Sequence, residues 1–518
     1  MSSPKISSVN PATGDLLASF RCASELDVQD AVGRARRAQP DWHLLGLRRR
    51  IELIREFQKL LNENKAHIAR LISQEVGKPY AEALSTEVLV VLDAARFLVE
   101  NAFALLGDKY LAHGSWMTKS KRGWIRREPL GVIGIISPWN YPFSTPAIEA
   151  LTALVAGNSV VLKPSEFTSL CALELESLLT RAGTAKDVLQ VVLGDGATGT
   201  ALVSSAIDKV VFTGSVQTGK QVARRAADRL LPTLLELGGK DPMLVLADAD
   251  VDVASSGALW GAFMNAGQTC LSVERCYVHR KIYDRFVGLC AEKTRRLKIG
   301  NGLDSQTDIG PLIHEAQLRL VESHVIDAQA RGARVIVGGK RLPELGANFY
   351  SPTILIDVSQ QMRVMREETF GPVLPIMPFE SEEQAVQLAN DSEFGLAASV
   401  WTRDRRRGEK IAAKIAAGSI MINDVISCYG ISEAPHGGVK ASGIGRTHGS
   451  FGLEEMVGIK YVDSDLLPSL KKLWWYGYGP EFAGYMEQLT DLMFSRRRLK
   501  RLRAAVGSVR LVRRKGRL

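Results

Sequence analysis

Apolar positions in the first hundred residues recur at helical spacing. From Ser24 onward Val28, Ala31, Val32 and Ala35 share one face, and similar patterns run across 47–62, 65–76 and 80–106. Amphipathic helices of this kind are cover for a sheet. Ahead of them, Val9-Asn10-Pro11-Ala12-Thr13-Gly14 is turn chemistry joining two short strands. Residues 115–128 alternate instead, with Trp116 and Trp124 among Lys and Arg, which predicts an exposed β-hairpin suited to a subunit contact. From residue 131 the texture changes. Short apolar runs at 131–136, 159–162, 188–192 and 209–212 are separated by helical patterns, the sequence form of a doubly wound parallel sheet. A second such region spans 240–438, with runs at 243–246, 276–279, 334–337, 397–401 and 419–422 and a helix near 282–296. A turn-rich loop closes it, and 454–462 reads as a last strand. The predicted fold class is α/β: doubly wound parallel sheets in two successive regions, plus a small β element.

Length and composition narrow the class. At 518 residues the chain exceeds one ordinary core and predicts two or three domains. Apolar content of 46% and charged content of 24% are those of a globular protein. The N-terminus shows no secretory pattern, and no window of about 20 residues is apolar enough to span a bilayer. Six cysteines lie scattered without metal-ligand spacing, which predicts a reduced, cytoplasmic protein with no structural metal. The net charge of +10 suggests nucleic acid until it is located. Residues 492–518 hold eleven Lys or Arg and no acid, so the other 491 residues carry −1. An anionic partner belongs at that end or nowhere.

Four strand ends on one predicted edge carry chemistry: Ser137-Pro138-Trp139-Asn140, Lys163-Pro164-Ser165-Glu166, Gly194-Asp195-Gly196 and Thr213-Gly214-Ser215. Ligands bind beyond the carboxyl ends of such strands. Residues 214–220 nearly match a P-loop, but Gln221 replaces the hydroxyl that would hold magnesium, which disfavours a nucleotide triphosphatase. The same turn, feeding a helix near 216–228, still suits a pyrophosphate. Lys163 and Glu166 suit ribose hydroxyls, and the carboxylate favours NAD over NADP. Downstream, Gly267-Gln268-Thr269-Cys270 offers a thiol, with Glu236 in Glu236-Leu237-Gly238-Gly239-Lys240 lying 34 residues upstream. Together they could form and hydrolyse a thioester.

From residue 10 to about 462 these motifs, with Glu368-Thr369-Phe370-Gly371-Pro372, resemble the aldehyde dehydrogenase superfamily of the hydrolytic type. The resemblance implies an NAD-binding domain (1–110 and 131–238), a catalytic domain (239–438) and an oligomerisation element (111–130 and 452–463), assembling into homodimers or homotetramers. It implies a five-stranded cofactor sheet without the usual glycine fingerprint. Cys270 would be the nucleophile, Glu236 the base and Asn140 an oxyanion donor. The cofactor, NAD with NADP as the alternative, would meet Ile136, Ser137, Pro138 and Trp139 on the first strand end. Lys163, Ser165, Glu166 and Gly196 would follow, then Phe212, Thr213, Gly214 and Ser215, then Leu237, Gly238, Glu368 and Phe370.

Tyr141, Met264, Thr269 and Leu271 would lie near an apolar aldehyde, aliphatic or aromatic. A semialdehyde dehydrogenase, or an inactive relative kept for binding, are the alternatives. His436 stands where many relatives have Phe, and reads as a satisfied loop histidine rather than a substrate contact. After Val462 the resemblance stops. Phe482, Met486, Leu489 and Met493, then Leu499, Leu502, Val506 and Val509, make an apolar stripe beside arginines. That stretch, 464–518, suits either the surface of an anionic membrane, making the protein peripheral there, or subunit docking. Nucleic acid is the weaker expectation.

Overall fold

Val132–Ile136 and Ser159–Lys163 are buried at every position, as strands covered on both faces must be. A computed structural model describes residues 4–472 and 474–496, in two units: 4–107 with 127–458, and 108–126 with 459–496.

The first unit holds two mainly parallel sheets. One has six strands in the order Gly443–Ile444, Thr233–Glu236, Lys209–Thr213, Val132–Ile136, Ser159–Lys163, Leu189–Val191. Its last five are parallel, matching the expected five, and Gly443–Ile444 adds an antiparallel edge. The other has seven strands: Arg334–Val337, Thr353–Ile356, Val373–Phe379, Val273–His279, Asp241–Val245, Ala397–Trp401, Ser419–Ile422. Only the pair at its Arg334–Val337 edge is antiparallel. One register matters for the site: Thr213 is the partner of Glu236 in adjacent parallel strands, so their side chains share a face.

Helices sit where the apolar spacing put them, with local chemistry fixing their ends. Ser24 and Asp27 close a capping box on Glu25–Leu44. Gly77 and Gly157 end Leu47–Val76 and Ser144–Ala156 in left-handed conformations. The patterns at 47–62 and 65–76 form a single helix, since nothing between them breaks it. The pattern at 80–106 is interrupted by a π-helical turn, Leu84–Val88. Within it Glu87 turns inward, pairs with buried Lys78 at 2.6 Å, and accepts from the N–H groups of Phe143 and Ser144 at 2.9 and 3.1 Å. That carboxylate caps a helix whose own N-cap residue makes no side-chain bond.

Three expectations need correction. The hairpin predicted at 115–128 pairs Lys121–Pro129 with Lys109–Leu111, upstream of that window, and Val457–Asp465 completes a three-stranded sheet. The last strand, predicted from 454, begins at Val457, because Gly449–Glu455 is helical and buries Leu453. Strands Thr233–Glu236, Thr353–Ile356 and Val373–Phe379 escaped the pattern. The last of these carries Pro375 and Pro378, which argue against an inner strand. In the second unit Pro480–Phe494 is helical. The stripe residues Leu499, Leu502, Val506 and Val509 lie outside the described residues. No helix among the described residues is long and apolar enough to cross a membrane.

Candidate active site

Cys270 follows a turn that the backbone does not adopt freely. Asn265, Ala266 and Gly267 have φ of 53°, 55° and 72°, all left-handed, and each non-glycine residue there costs about 1–2 kcal/mol. Side chains hold the turn in place. Glu82 accepts from the Asn265 N–H at 2.9 Å. The Asn265 amide donates to the carbonyls of Asn140 and Gln268, both at 3.1 Å. Gln268 donates to the Asn265 carbonyl at 3.0 Å and accepts from the Ile313 N–H at 2.9 Å. Gly267 is required twice over, by its φ and because a β-carbon would collide with the Gly371 carbonyl. Of the six cysteines five are buried, whereas Cys270 is partly exposed, on a cavity of about 450 Å³. Burial pushes its thiol well above the ordinary range, so it rests protonated.

Glu236 ends strand Thr233–Glu236 on the same cavity. It is 5% exposed, and neither carboxyl oxygen has a hydrogen-bond partner. Burial, and next the nearby Glu149, lift it well above the usual carboxylate range. Asn140 reaches in from the first strand end. Its amide donates one hydrogen to the Gln268 carbonyl at 3.0 Å, leaving the second for a ligand. The three predicted catalytic residues thus line a single wall. His436 is not the satisfied loop histidine expected from sequence: its Nδ1 is buried without a partner and its Nε2 lies 3.8 Å from Glu236. Burial and then His448 push it down to about 3, so it is neutral.

The cofactor-side expectations divide. Pro138, Trp139, Thr213, Gly214, Ser215, Leu237, Gly238, Glu368 and Phe370 line the same cavity. Trp139 meets Phe370 edge-on with centroids 5.5 Å apart. Glu368 accepts from the Gly239 N–H at 3.0 Å, and a β-carbon on Gly238 would strike its carboxyl. Ile136, Ser137, Lys163, Ser165, Glu166, Gly196 and Phe212 lie outside that wall. Among them Lys163 sits 3.6 Å from Glu166, and the buried Ser137 hydroxyl has no partner. Gly196 and Val216 each open a helix, capped by Asp195 and Ser215. An orphaned hydroxyl, an ammonium–carboxylate pair and two helix starts beyond parallel strand ends are a donor set that fits a dinucleotide.

The family model described as aldehyde dehydrogenase family matches residues 1–462. The chain belongs to the aldehyde dehydrogenase family. It is 40% identical over 448 residues to a 4,4'-diapolycopene aldehyde oxidase from Methylomonas, covering 86% of this chain and 83% of that one. It is 40% identical over 455 residues to an NADP-dependent succinate-semialdehyde dehydrogenase from Escherichia coli, covering 88% and 93%. Among solved structures, the NAD+ complex of an aldehyde dehydrogenase from Bacillus cereus superposes with a TM-score of 0.85 at 36% identity, covering 89% and 94%. This aldehyde dehydrogenase also has site residues that sequence reasoning missed. Glu149, Trp260, Tyr429 and His448 line the cavity. Glu149 left a trace, a lone acid within the apolar helix Ser144–Ala156; the other three left none.

Proposed function

We propose that this chain oxidises an uncharged aldehyde to the carboxylic acid with NAD, NADP being the alternative, through a thioester on Cys270. The observation that carries the reading is Glu236, a buried carboxyl with both oxygens free, on one wall with the Cys270 thiol and a spare Asn140 N–H. Water carries off the Cys270 thiol proton as the sulfur bonds to the aldehyde carbon and the carbonyl electrons move to oxygen. The Asn140 amide and the Cys270 backbone N–H stabilise that oxyanion. A bound nicotinamide supplies the acceptor for the hydride whose loss leaves the thioester. Glu236 then takes a proton from water as the water oxygen attacks the acyl carbon. The C–S bond breaks, and the acid departs. Glu368, Phe370 and Trp139 would seat the nicotinamide end, and Lys163 and Glu166 the ribose.

The cavity walls bear on the substrate. Neither Lys nor Arg lines it, while Val90, Ile148, Trp260, Met264, Leu271 and Ile426 do. A carboxylate at the far end of a semialdehyde would be buried unpaired, which is costly. The relative named for succinate semialdehyde favours that substrate and the one named for diapolycopene aldehyde an apolar one. The walls favour the second. A panel of hexanal, benzaldehyde and succinate semialdehyde with NAD+ or NADP+, followed by absorbance, decides it. Preference for succinate semialdehyde by tenfold in kcat/KM would sink the apolar reading. Cys270→Ala should abolish turnover, and full oxidation by that variant would sink the mechanism. Glu236→Gln should still give one burst of reduced cofactor and then stall.

The three-stranded sheet of the second unit is our candidate for the contact between subunits. The basic end after residue 492 is our candidate for an anionic membrane surface. Removing 466–518 should abolish co-sedimentation with anionic liposomes at low salt, and unchanged binding would retire that idea.

A further inference from the structure

Glu149 has no part in the reaction as derived above, yet it is placed for one. It lies on Ser144–Ala156, a helix buried at every position, and is itself 4% exposed. Its side chain lines the cavity that holds Cys270 and Glu236. Its Oε1 accepts from the Thr213 hydroxyl at 3.2 Å, and its Oε2 has no partner. Thr213 is the strand partner of Glu236, with its side chain on the same face. Its hydroxyl is held by Glu149 while both Glu236 oxygens are without a partner, so transfer requires the Glu236 carboxyl to turn onto that hydroxyl. Buried acids without partners are expensive to keep. Glu149 is the one charged residue of that helix, whose other polar residues are Ser144, Thr145 and Thr152.

The hydrolytic step leaves a proton on Glu236. That group is faced by Glu149, Arg446 and Glu455, and by the neutral His436. The Arg446 guanidinium is occupied by the carbonyls of Gly438 and Gly445, at 2.8 and 2.6 Å, and Glu455 by Lys209. Thr213 is the polar group that meets Glu149. We propose that Glu149 is a proton relay for the hydrolytic step, taking through the Thr213 hydroxyl the proton that Glu236 removes from water. The proposal rests on the thioester reading above. As water adds to the acyl carbon, Glu236 gains its proton and the C–S bond breaks. The Thr213 oxygen then takes that proton while passing its own to Glu149. Glu236 is again a carboxylate and Glu149 a carboxylic acid. Glu149 loses the proton back through Thr213 to solvent, Thr213 being partly exposed where Glu149 is not. Burial pushes Glu149 up to about 8. Its accepting form therefore grows as pH rises toward 8, and hydrolysis should rise with it.

An activated ester tests this without the cofactor. 4-Nitrophenyl acetate should acetylate Cys270 in the full-length protein, and intact mass follows loss of the acetyl group from pH 6 to 9. Wild type should hydrolyse the acetyl-enzyme faster as pH approaches 8. Glu149→Gln should acetylate at the wild-type rate and hydrolyse tenfold or more slowly. Should the glutamine variant fold poorly, Thr213→Val should likewise slow hydrolysis of the acetyl-enzyme tenfold or more. In Glu149→Ala, added formate should restore hydrolysis, which a merely structural role would not allow. Hydrolysis by Glu149→Gln less than tenfold slower than wild type, or equal slowing of acetylation and hydrolysis, overturns the relay. A wild-type protein that is not acetylated at Cys270 overturns the thioester reading instead, so the two failures are separable.

Discussion

Replacing Asn140 by alanine separates catalysis from architecture. The side-chain amide makes one hydrogen bond within the protein, to the Gln268 carbonyl at 3.0 Å. That carbonyl also receives the Asn265 amide at 3.1 Å, so it keeps a partner when Asn140 is shortened. The turn carrying Cys270 further retains Glu82 on the Asn265 N–H and Ile313 on Gln268. The structural loss is one neutral hydrogen bond, about 0.5–1.5 kcal/mol. The catalytic loss is an oxyanion donor, worth about 2.7–4 kcal/mol, or roughly 10²–10³ in rate. Asn140→Ala should therefore acetylate with 4-nitrophenyl acetate about 10²–10³ more slowly while losing about 1 kcal/mol or less of unfolding free energy. Asn140→Asp should be slower still, since it sets a carboxylate against both the Gln268 carbonyl and the developing oxyanion. Stopped-flow release of nitrophenolate measures the first quantity and urea titration the second. Acetylation within threefold of wild type would refute the oxyanion assignment. Loss of rate together with more than about 3 kcal/mol of stability would show that the turn, not the donor, had been broken.

Three further outcomes follow from the same geometry. Gly267→Ala should lose at least tenfold in turnover or fail to fold, measured by activity and thermal melting, because a β-carbon there meets the Gly371 carbonyl at a left-handed φ. Glu87→Ala should destabilise by about 3–5 kcal/mol in urea titration, since it leaves Lys78 charged and buried without its partner. His436 and His448 are held neutral, down to about 3 and about 4, by burial. Their contribution to stability is whole above the unfolded value of 6.5 and is lost as pH falls from there through the folded values. Each adds an acid sensitivity of up to about 1.4 kcal/mol per pH unit, and His448→Phe should flatten the fall in unfolding free energy between pH 6.5 and 4.

What could be read from the chain depended on whether a residue's role is local. Val132–Ile136 and Lys209–Thr213 announce themselves by apolar runs, and Cys270 and Glu236 by neighbours that match a family. Val373–Phe379 did not, because its prolines contradict the inner strand that packing makes it. His436 was misjudged for a related reason: its partners are chosen across the fold, where Glu236 and Tyr429 come from distant segments. Glu149 shows the limit most clearly. On its helix it is an anomaly, one acid among buried residues that are otherwise uncharged. It acquires meaning only when the parallel register sets Thr213 beside Glu236 and the helix lays the carboxyl against that threonine. No spacing in the sequence encodes that triangle, since its corners are 149, 213 and 236 and come from a helix and two strands. A buried carboxyl that breaks its own helix's pattern is therefore a reason to ask which proton the fold has arranged for it to move.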